Sequence, residues 1–336
     1  MNENPRVSVI IPVYKVENYL RECLDSIAAQ SFADFEVVAV DDGSPDSSGR
    51  ILDEFAARDP RFRVIHQENA GAGAARNRGL EIARGDYLLF CDADDTCLPS
   101  LLERTVQTLD ETRADVVVFA YNRLNAETGK RKCRKVLALE SGPASGLSLS
   151  EDLFQRMNSV PWNKVFRRAH VLGHQIRFQS LPRGNDIYFV YSALAEADRI
   201  AVIEEPLYEH LTRRSDGLHL GFDRHPFTFY EAKDAVASRL KAEGRFEPFR
   251  HSLIRSVYME AVRLLDKYED KNVLVEAYDR LRKRLTCDPD YSDLTSILSG
   301  QESELSRYRR VMACPTLGRY RLRSRLAGIF RRLLAS

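Results

Sequence analysis

Tyr87-Leu88-Leu89-Phe90-Cys91-Asp92-Ala93-Asp94-Asp95 joins an apolar run directly to three carboxylates. The apolar half predicts a buried strand. Strand residues alternate faces, so Asp92 and Asp94 point the same way past its end. Two such carboxylates side by side repel each other unless a cation lies between them. Hard oxygen ligands of this kind suit a divalent ion that keeps several waters and also binds substrate phosphates. The alternative is an acidic strand-to-helix loop in which Asp95 or Thr96 caps the helix that Pro99 introduces.

Working outward, strand-like runs occur at residues 7–11, 35–40, 62–65, 87–91 and 116–121, with helical patterns between them at 19–30, 48–58, 74–83 and 99–112. This alternation predicts an α/β fold, a doubly wound and mostly parallel sheet with helices on both faces. Ligands of such sheets sit outside the carboxyl ends of the strands, near the switch in strand order. Four polar clusters fall there: Pro12–Lys15, Asp41–Ser44, Gln67–Arg76 and Asp92–Asp95. Residues 122–150 read as a polar connection, and residues 151–217 mix short helices and strands. Beyond Phe222 the pattern is helical, over 226–243, 248–268 and 274–285. The expected division is a nucleotide-sugar-binding and catalytic domain over 1–220, a helical C-terminal region over 221–304, and a basic tail over 305–336.

At 336 residues, 44% hydrophobic and 29% charged, the chain has the composition of a soluble protein with a substantial core. No apolar run approaches the roughly 18–20 residues that span a bilayer. Met1-Asn2-Glu3-Asn4-Pro5 shows no signal-peptide pattern, so a cytoplasmic location is expected. The six cysteines lack paired spacing, which argues against a zinc site or a disulfide framework. Net charge is +1, but the segment from Leu305 carries nine arginines and no acid. That leaves a mildly acidic body and a basic tail. The bases are not interleaved with aromatics across the fold, so nucleic acid is not an expected partner.

Asp41-Asp42-Gly43-Ser44 follows the second strand, where glycine permits a sharp turn and an aspartate can accept from a base N–H or ribose hydroxyls. An ordinary turn is the plain alternative. Gly71-Ala72-Gly73-Ala74-Ala75-Arg76-Asn77 predicts a small-residue helix start that lets backbone approach a ligand, with Arg76 aimed at it. Close helix–sheet packing explains the glycines equally well.

The ordered set Val-Ile-Ile-Pro-Val-Tyr (9–14), Val-Asp-Asp-Gly-Ser (40–44), Asn-Ala-Gly-Ala-Gly-Ala-Ala-Arg-Asn (69–77) and Asp-Ala-Asp-Asp (92–95) resembles the family 2 glycosyltransferases. The resemblance covers roughly residues 5–215 and implies a GT-A fold. It implies that Pro12, Tyr14, Asp42 and Arg76 line a nucleoside pocket. Asp92, Ala93 and Asp94 would form a D-x-D site, with Asp92 and Asp94 holding Mg²⁺ or Mn²⁺ against the donor diphosphate. Val160-Pro161-Trp162-Asn163-Lys164 is similar to a family segment near the sugar and acceptor, which brings in Trp162 and Lys164. A core tryptophan with a surface lysine is the plain alternative. Asp186 matches the family's general base, whereas Asn185 stands where a glutamate is usual. Tyr208-Glu209-His210 and Arg213-Arg214-Ser215 resemble a stretch whose arginines approach the leaving diphosphate.

The implied activity is inverting transfer of a sugar from a nucleotide donor, with uridine the implied base, to a hydroxyl of a glycan or lipid-linked acceptor. Leu317–Leu334 reads as a basic amphipathic helix able to lie on an anionic membrane surface or to dock on the acidic body. The first of these places the protein peripherally on the inner face of the cell membrane. Two other readings compete. Asp92 with Gly184-Asn185-Asp186 resembles the motifs of haloacid dehalogenase-type phosphohydrolases, although that family opens its core with the nucleophile strand. A non-catalytic nucleotide- or carbohydrate-binding relative would keep the fold without the chemistry.

Overall fold

The computed structural model describes residues 4–136, 139, 142–212 and 222–320. Four strands, β1 (Val7–Val13), β2 (Phe35–Asp41), β3 (Phe62–His66) and β4 (Tyr87–Phe90), run parallel in the order β3-β2-β1-β4. β1, β2 and β4 are almost continuously apolar because they are covered on both faces. Val7, Val9, Ile11 and Val13 enter one core, shared with the helices Glu17–Ala28, Ser48–Arg58 and Leu101–Thr112. Ile10 enters the other, shared with the helices Ala72–Ile82 and Ile187–Glu196. β1 lies between β2 and β4, and the order of the strands reverses there, with the helix Ala72–Ile82 crossing on the face opposite to Glu17–Ala28 and Ser48–Arg58. The switch point therefore opens at the carboxyl ends of these three strands.

The remaining strands are β5 (Thr96–Cys97), β6 (Val116–Asn125), β7 (Arg131–Arg134), β8 (Lys164–Arg167) and β9 (Ile200–Thr212). The sheet continues from β4 through β8, β6 and β9 to β5, and β7 pairs with the outer half of β6. β6 and β9 are parallel, while β8, β5 and β7 join antiparallel. Most of the ladder is thus parallel. The β6–β9 register slips twice around Ala120, an irregularity that re-aims the end of β9 toward the loop after β4.

Two expectations change here. Thr96 is not a helix cap: Thr96 and Cys97 pair with Glu209 and Tyr208, and the helix starts at Leu101 after Ser100. The first part of the polar connection, residues 122–134, is the hairpin of β6 and β7. Its side chains are mostly polar or charged, so no apolar periodicity marks it as strand.

The C-terminal helices Thr228–Ala242, Phe246–Leu265, Lys271–Cys287 and Glu302–Ala313 pack on the face already covered by Ile187–Glu196. Phe154 stacks on Tyr191 at 4.4 Å and approaches Phe249 at 6.0 Å, so helices and sheet share one contiguous core. Glu302–Ala313 is a single helix running through residue 305. The expected tail helix over Leu317–Leu334 lies outside the described residues from 321 onward. Among the described residues no helix is long and apolar enough to cross a membrane.

Candidate active site

The three carboxylates after β4 come together. Asp92, Asp94 and Asp95 each offer an oxygen, all within 4.8 Å of one another. A tight turn produces this, with the Asp95 N–H donating to the Asp92 carbonyl at 3.1 Å. Asp92 and Asp94 are half-buried and reachable, whereas Asp95 is buried. Asp95 accepts from the Leu211 N–H at 2.8 Å and faces Nδ1 of His210 at 3.1 Å. Burial lifts its carboxyl to about 7 despite the pull of His210. His210 stacks on Trp162 at 4.8 Å, and Trp162 stacks on Tyr208 at 5.1 Å. The Tyr208 hydroxyl accepts from the Asp92 N–H at 3.2 Å. One aromatic column thus carries the loop. Its all-oxygen donor set fits a hard divalent cation, with Asp92 and Asp94 as the accessible ligands.

Arg76 is buried, and its guanidinium joins two halves of the site. It donates to Asp92 at 2.7 Å and to the Asn185 side-chain oxygen at 2.8 Å, over the Phe178 ring. The structure therefore groups Arg76 with the carboxylate loop. The loop bearing Asn185 is pinned against the start of the helix Ala72–Ile82. Asn77 exchanges two hydrogen bonds with the Phe178 backbone, both at 2.9 Å. Gly73 is required there, because a Cβ would stand 2.2 Å from the Gln179 carbonyl. Gly71, at φ 89°, faces open space.

Asp186 is half-buried at the first position before the helix Ile187–Glu196 and makes no capping hydrogen bond. Burial raises its carboxyl to about 6, with Arg76 pulling the other way. Asp186 is thus poised to take a proton near neutral pH.

Beside these carboxylates, Pro12 is half-buried and Tyr14 is exposed at the end of β1. Asp42 is buried. It binds the Gln67 side chain at 2.7 Å and the backbone N–H groups of Ala70 and Gly71 at 2.9 and 2.8 Å, so it shapes the loop before Arg76. Lys164 is fully buried, donating to Asn158, Val160 and Asn163 at 2.6, 2.8 and 2.7 Å. Burial holds its pKa well below the ordinary lysine range. Trp162 is also buried, within the aromatic column. Ala93 is buried within the turn. Arg213 and Arg214 lie outside the described residues. Tyr208, His210 and Asp95 form one group behind the loop; the sequence singles out Tyr208-Glu209-His210 and, separately, Asp95 as a candidate cap, but nothing local joins them.

A family model described as "Glycosyl transferase family 2" matches residues 8–172. The "Uncharacterized glycosyltransferase EpsJ" of Bacillus subtilis is 32% identical over 246 residues, 69% of this chain and 69% of that protein. The "Putative glycosyltransferase EpsH" of the same organism is 34% identical over 212 residues, 62% of this chain; the match spans 61% of its length. Among solved structures, residues 1–349 of Staphylococcus aureus TarS in complex with UDP-GlcNAc align with a TM-score of 0.71 and 22% identity. That alignment covers 92% of this chain and 90% of the other, a likeness of fold.

Proposed function

This chain belongs to the family 2 glycosyltransferases, and from that premise we propose that it is an inverting enzyme that moves a sugar from a UDP-sugar to a hydroxyl of a glycan or lipid-linked acceptor. One observation carries this reading: the Arg76 guanidinium binds both Asp92 of the carboxylate triad and Asn185, the neighbour of the elevated carboxyl of Asp186. A group for the donor diphosphate and a proton acceptor therefore adjoin one another. Asp186 takes the proton from the acceptor hydroxyl as its oxygen attacks the anomeric carbon. The bond to the nucleoside diphosphate breaks on the opposite face, so one displacement inverts the configuration. Asp92 and Asp94 would hold Mg²⁺ or Mn²⁺, which when bound neutralises charge on the departing diphosphate. Arg213 and Arg214 are proposed to assist there. Tyr14 and Pro12 are proposed to flank the base, with Asp42 fixing the loop beside it.

A fold neighbour solved with UDP-GlcNAc supports the donor class. TarS is named a poly(ribitol-phosphate) β-N-acetylglucosaminyltransferase, which supports a polymeric acceptor and a role in polysaccharide biosynthesis. The donor and base sites would occupy residues 1–220, with 221–304 as a helical buttress. The basic tail would hold the protein at the inner membrane surface.

Incubating the protein with Mn²⁺ and a panel of nucleotide sugars should release nucleoside diphosphate, and chelation should stop it. Asp186→Asn should keep donor binding and lose about 10²–10⁴-fold in transfer rate. Donor binding without turnover under any condition would instead favour a non-catalytic binding relative.

A further inference from the structure

The outer sheet, β7-β6-β9, has one face whose charge the transfer reaction leaves unexplained. Register sets Tyr121 and Arg123 of β6 beside Tyr208 and His210 of β9, and beside Arg134 and Lys132 of β7. All six side chains therefore share one face. At its inner end Tyr121 meets Trp162 edge-on at 4.6 Å, and His210 stacks on Trp162 and holds Asp95. The face is thus continuous with the carboxylate loop.

Arg123 and Lys132 at its outer end and Arg134 beside Tyr121 are exposed, and none makes an ion pair among the described residues. The opposite face differs, because Arg131 there is neutralised by Glu209 at 2.6 Å. Lysines on an edge strand discourage sheet-to-sheet association, but that role asks for no particular face. Arg123 and Lys132 stand directly opposite each other, a like-charged cross-strand pair that destabilises the hairpin unless an anion lies over it. Lys132 and Arg134, alternate residues of β7, project about 7 Å apart along the strand, and Arg123 faces Lys132 across the ladder.

We propose that this face docks the acceptor, a polymer with repeated anionic groups, phosphodiester or carboxylate, laid along Arg123, Lys132 and Arg134 toward the catalytic loop. The proposal rests on the transferase reading above and gives its acceptor a chemical class.

The test compares the full chain with the triple variant Arg123→Gln/Lys132→Gln/Arg134→Gln and a control triple of exposed lysines, Lys267→Gln/Lys271→Gln/Lys283→Gln. Probes are polyphosphate, polygalacturonate, neutral dextran and phosphatidylglycerol vesicles, each titrated at several salt concentrations. The hairpin triple should bind polyphosphate, polygalacturonate or both at least about tenfold more weakly than the unmodified chain. Its log Kd against log salt should be shallower by about two, as for three contacts on a single-stranded polyphosphate backbone. Loss on polyphosphate alone specifies phosphodiesters, loss on polygalacturonate alone specifies carboxylates, and loss on both supports the shared anionic chemistry. Binding within twofold of the unmodified chain, or an equal loss in the control, overturns the proposal. So does hairpin-dependent binding to vesicles with none to either polymer, which reassigns the face to a membrane. Binding of nucleotide sugars with Mn²⁺, followed by calorimetry, reports separately on the transferase reading. It should be unchanged in the hairpin triple, and its absence from the unmodified chain would sink that reading whatever the polymers do.

Discussion

Asp186, the proposed base, lies half-buried at a helix start, with the Arg76 guanidinium and the Lys164 side chain within electrostatic reach. Burial holds the carboxyl near 6, so the ionised form needed to accept a proton is depleted in acid. Transfer should therefore fall about tenfold per pH unit below that value and level off above it, as a pH–rate profile would show. The sign for stability is opposite. Between the ordinary aspartate value and about 6 the folded state holds a proton the unfolded chain releases, so this group weakens the fold as pH rises through that window. Asn185 is the neighbour of the same carboxyl. Its neutral amide accepts from Arg76, leaving Asp92 as the one carboxylate bound to that guanidinium among the described residues. Asn185→Glu adds a like charge beside Asp186 and should move the acid limb of the profile to higher pH. A limb that stays in place, with intact donor binding, would show that this carboxyl is not the titrating base.

At the scale of elements, the parallel half of the sheet is tied at its edge by a buried carboxylate. Glu36 of β2 accepts from the Ser8 hydroxyl and the Arg84 N–H, both at 2.8 Å, and from the side chains of Arg84 and Arg63 at 2.9 and 3.2 Å. Burial alone would raise its pKa, but these donors together hold it below the ordinary value. Glu36→Ala strands the Ser8 and Arg84 donors and should cost about 2–3 kcal/mol at neutral pH. Because the folded pKa is depressed, that contribution is present above the ordinary glutamate value and fades as pH falls through the lower, folded one. Urea unfolding of both proteins should show the gap narrowing in acid. Elements of this kind were legible in the sequence: Val7–Val13 and Phe35–Asp41 are apolar because both faces are covered, and that reads directly. The antiparallel additions were not. Thr96–Cys97 is too short to have a period, and Arg131–Arg134 has no apolar face, so only their partners make them strands. The site divides the same way. Asp92, Asp94 and Asp186 stood out at element ends, but the bridge from Arg76 to Asn185 spans 109 positions and no local pattern announces it.

Across the whole molecule, the helical C-terminal part holds a buried ion pair close to the helix that follows Asp186. Lys233, on the helix Thr228–Ala242, donates to Glu260 at 2.6 Å and to the Ser256 carbonyl and hydroxyl at 2.9 and 2.8 Å. Ser256 in turn lies 3.4 Å from the hydroxyl of Tyr191, on the helix that follows Asp186. Burial pushes the Lys233 ammonium down, and Glu260 opposes it. Burial also pushes Glu260 up, but Lys233 and then Arg263 outweigh it, so the pair is charged on both sides. Removing one partner of such a pair is worse than removing both, because the remaining charge stays desolvated. Lys233→Met should therefore destabilise by about 3 kcal/mol or more, and Lys233→Met/Glu260→Leu should recover most of that loss in chemical unfolding. The same cycle has a catalytic reading. Burial is the main cause of the raised Asp186 pKa, and Glu260, ion-paired to Lys233 in the helical part, adds a smaller upward pull. The single variant should then move the acid limb of the pH–rate profile upward, and the double variant should move it below its original position. Additive losses in unfolding and an unmoved limb in both variants would mean that the helical part contributes packing alone.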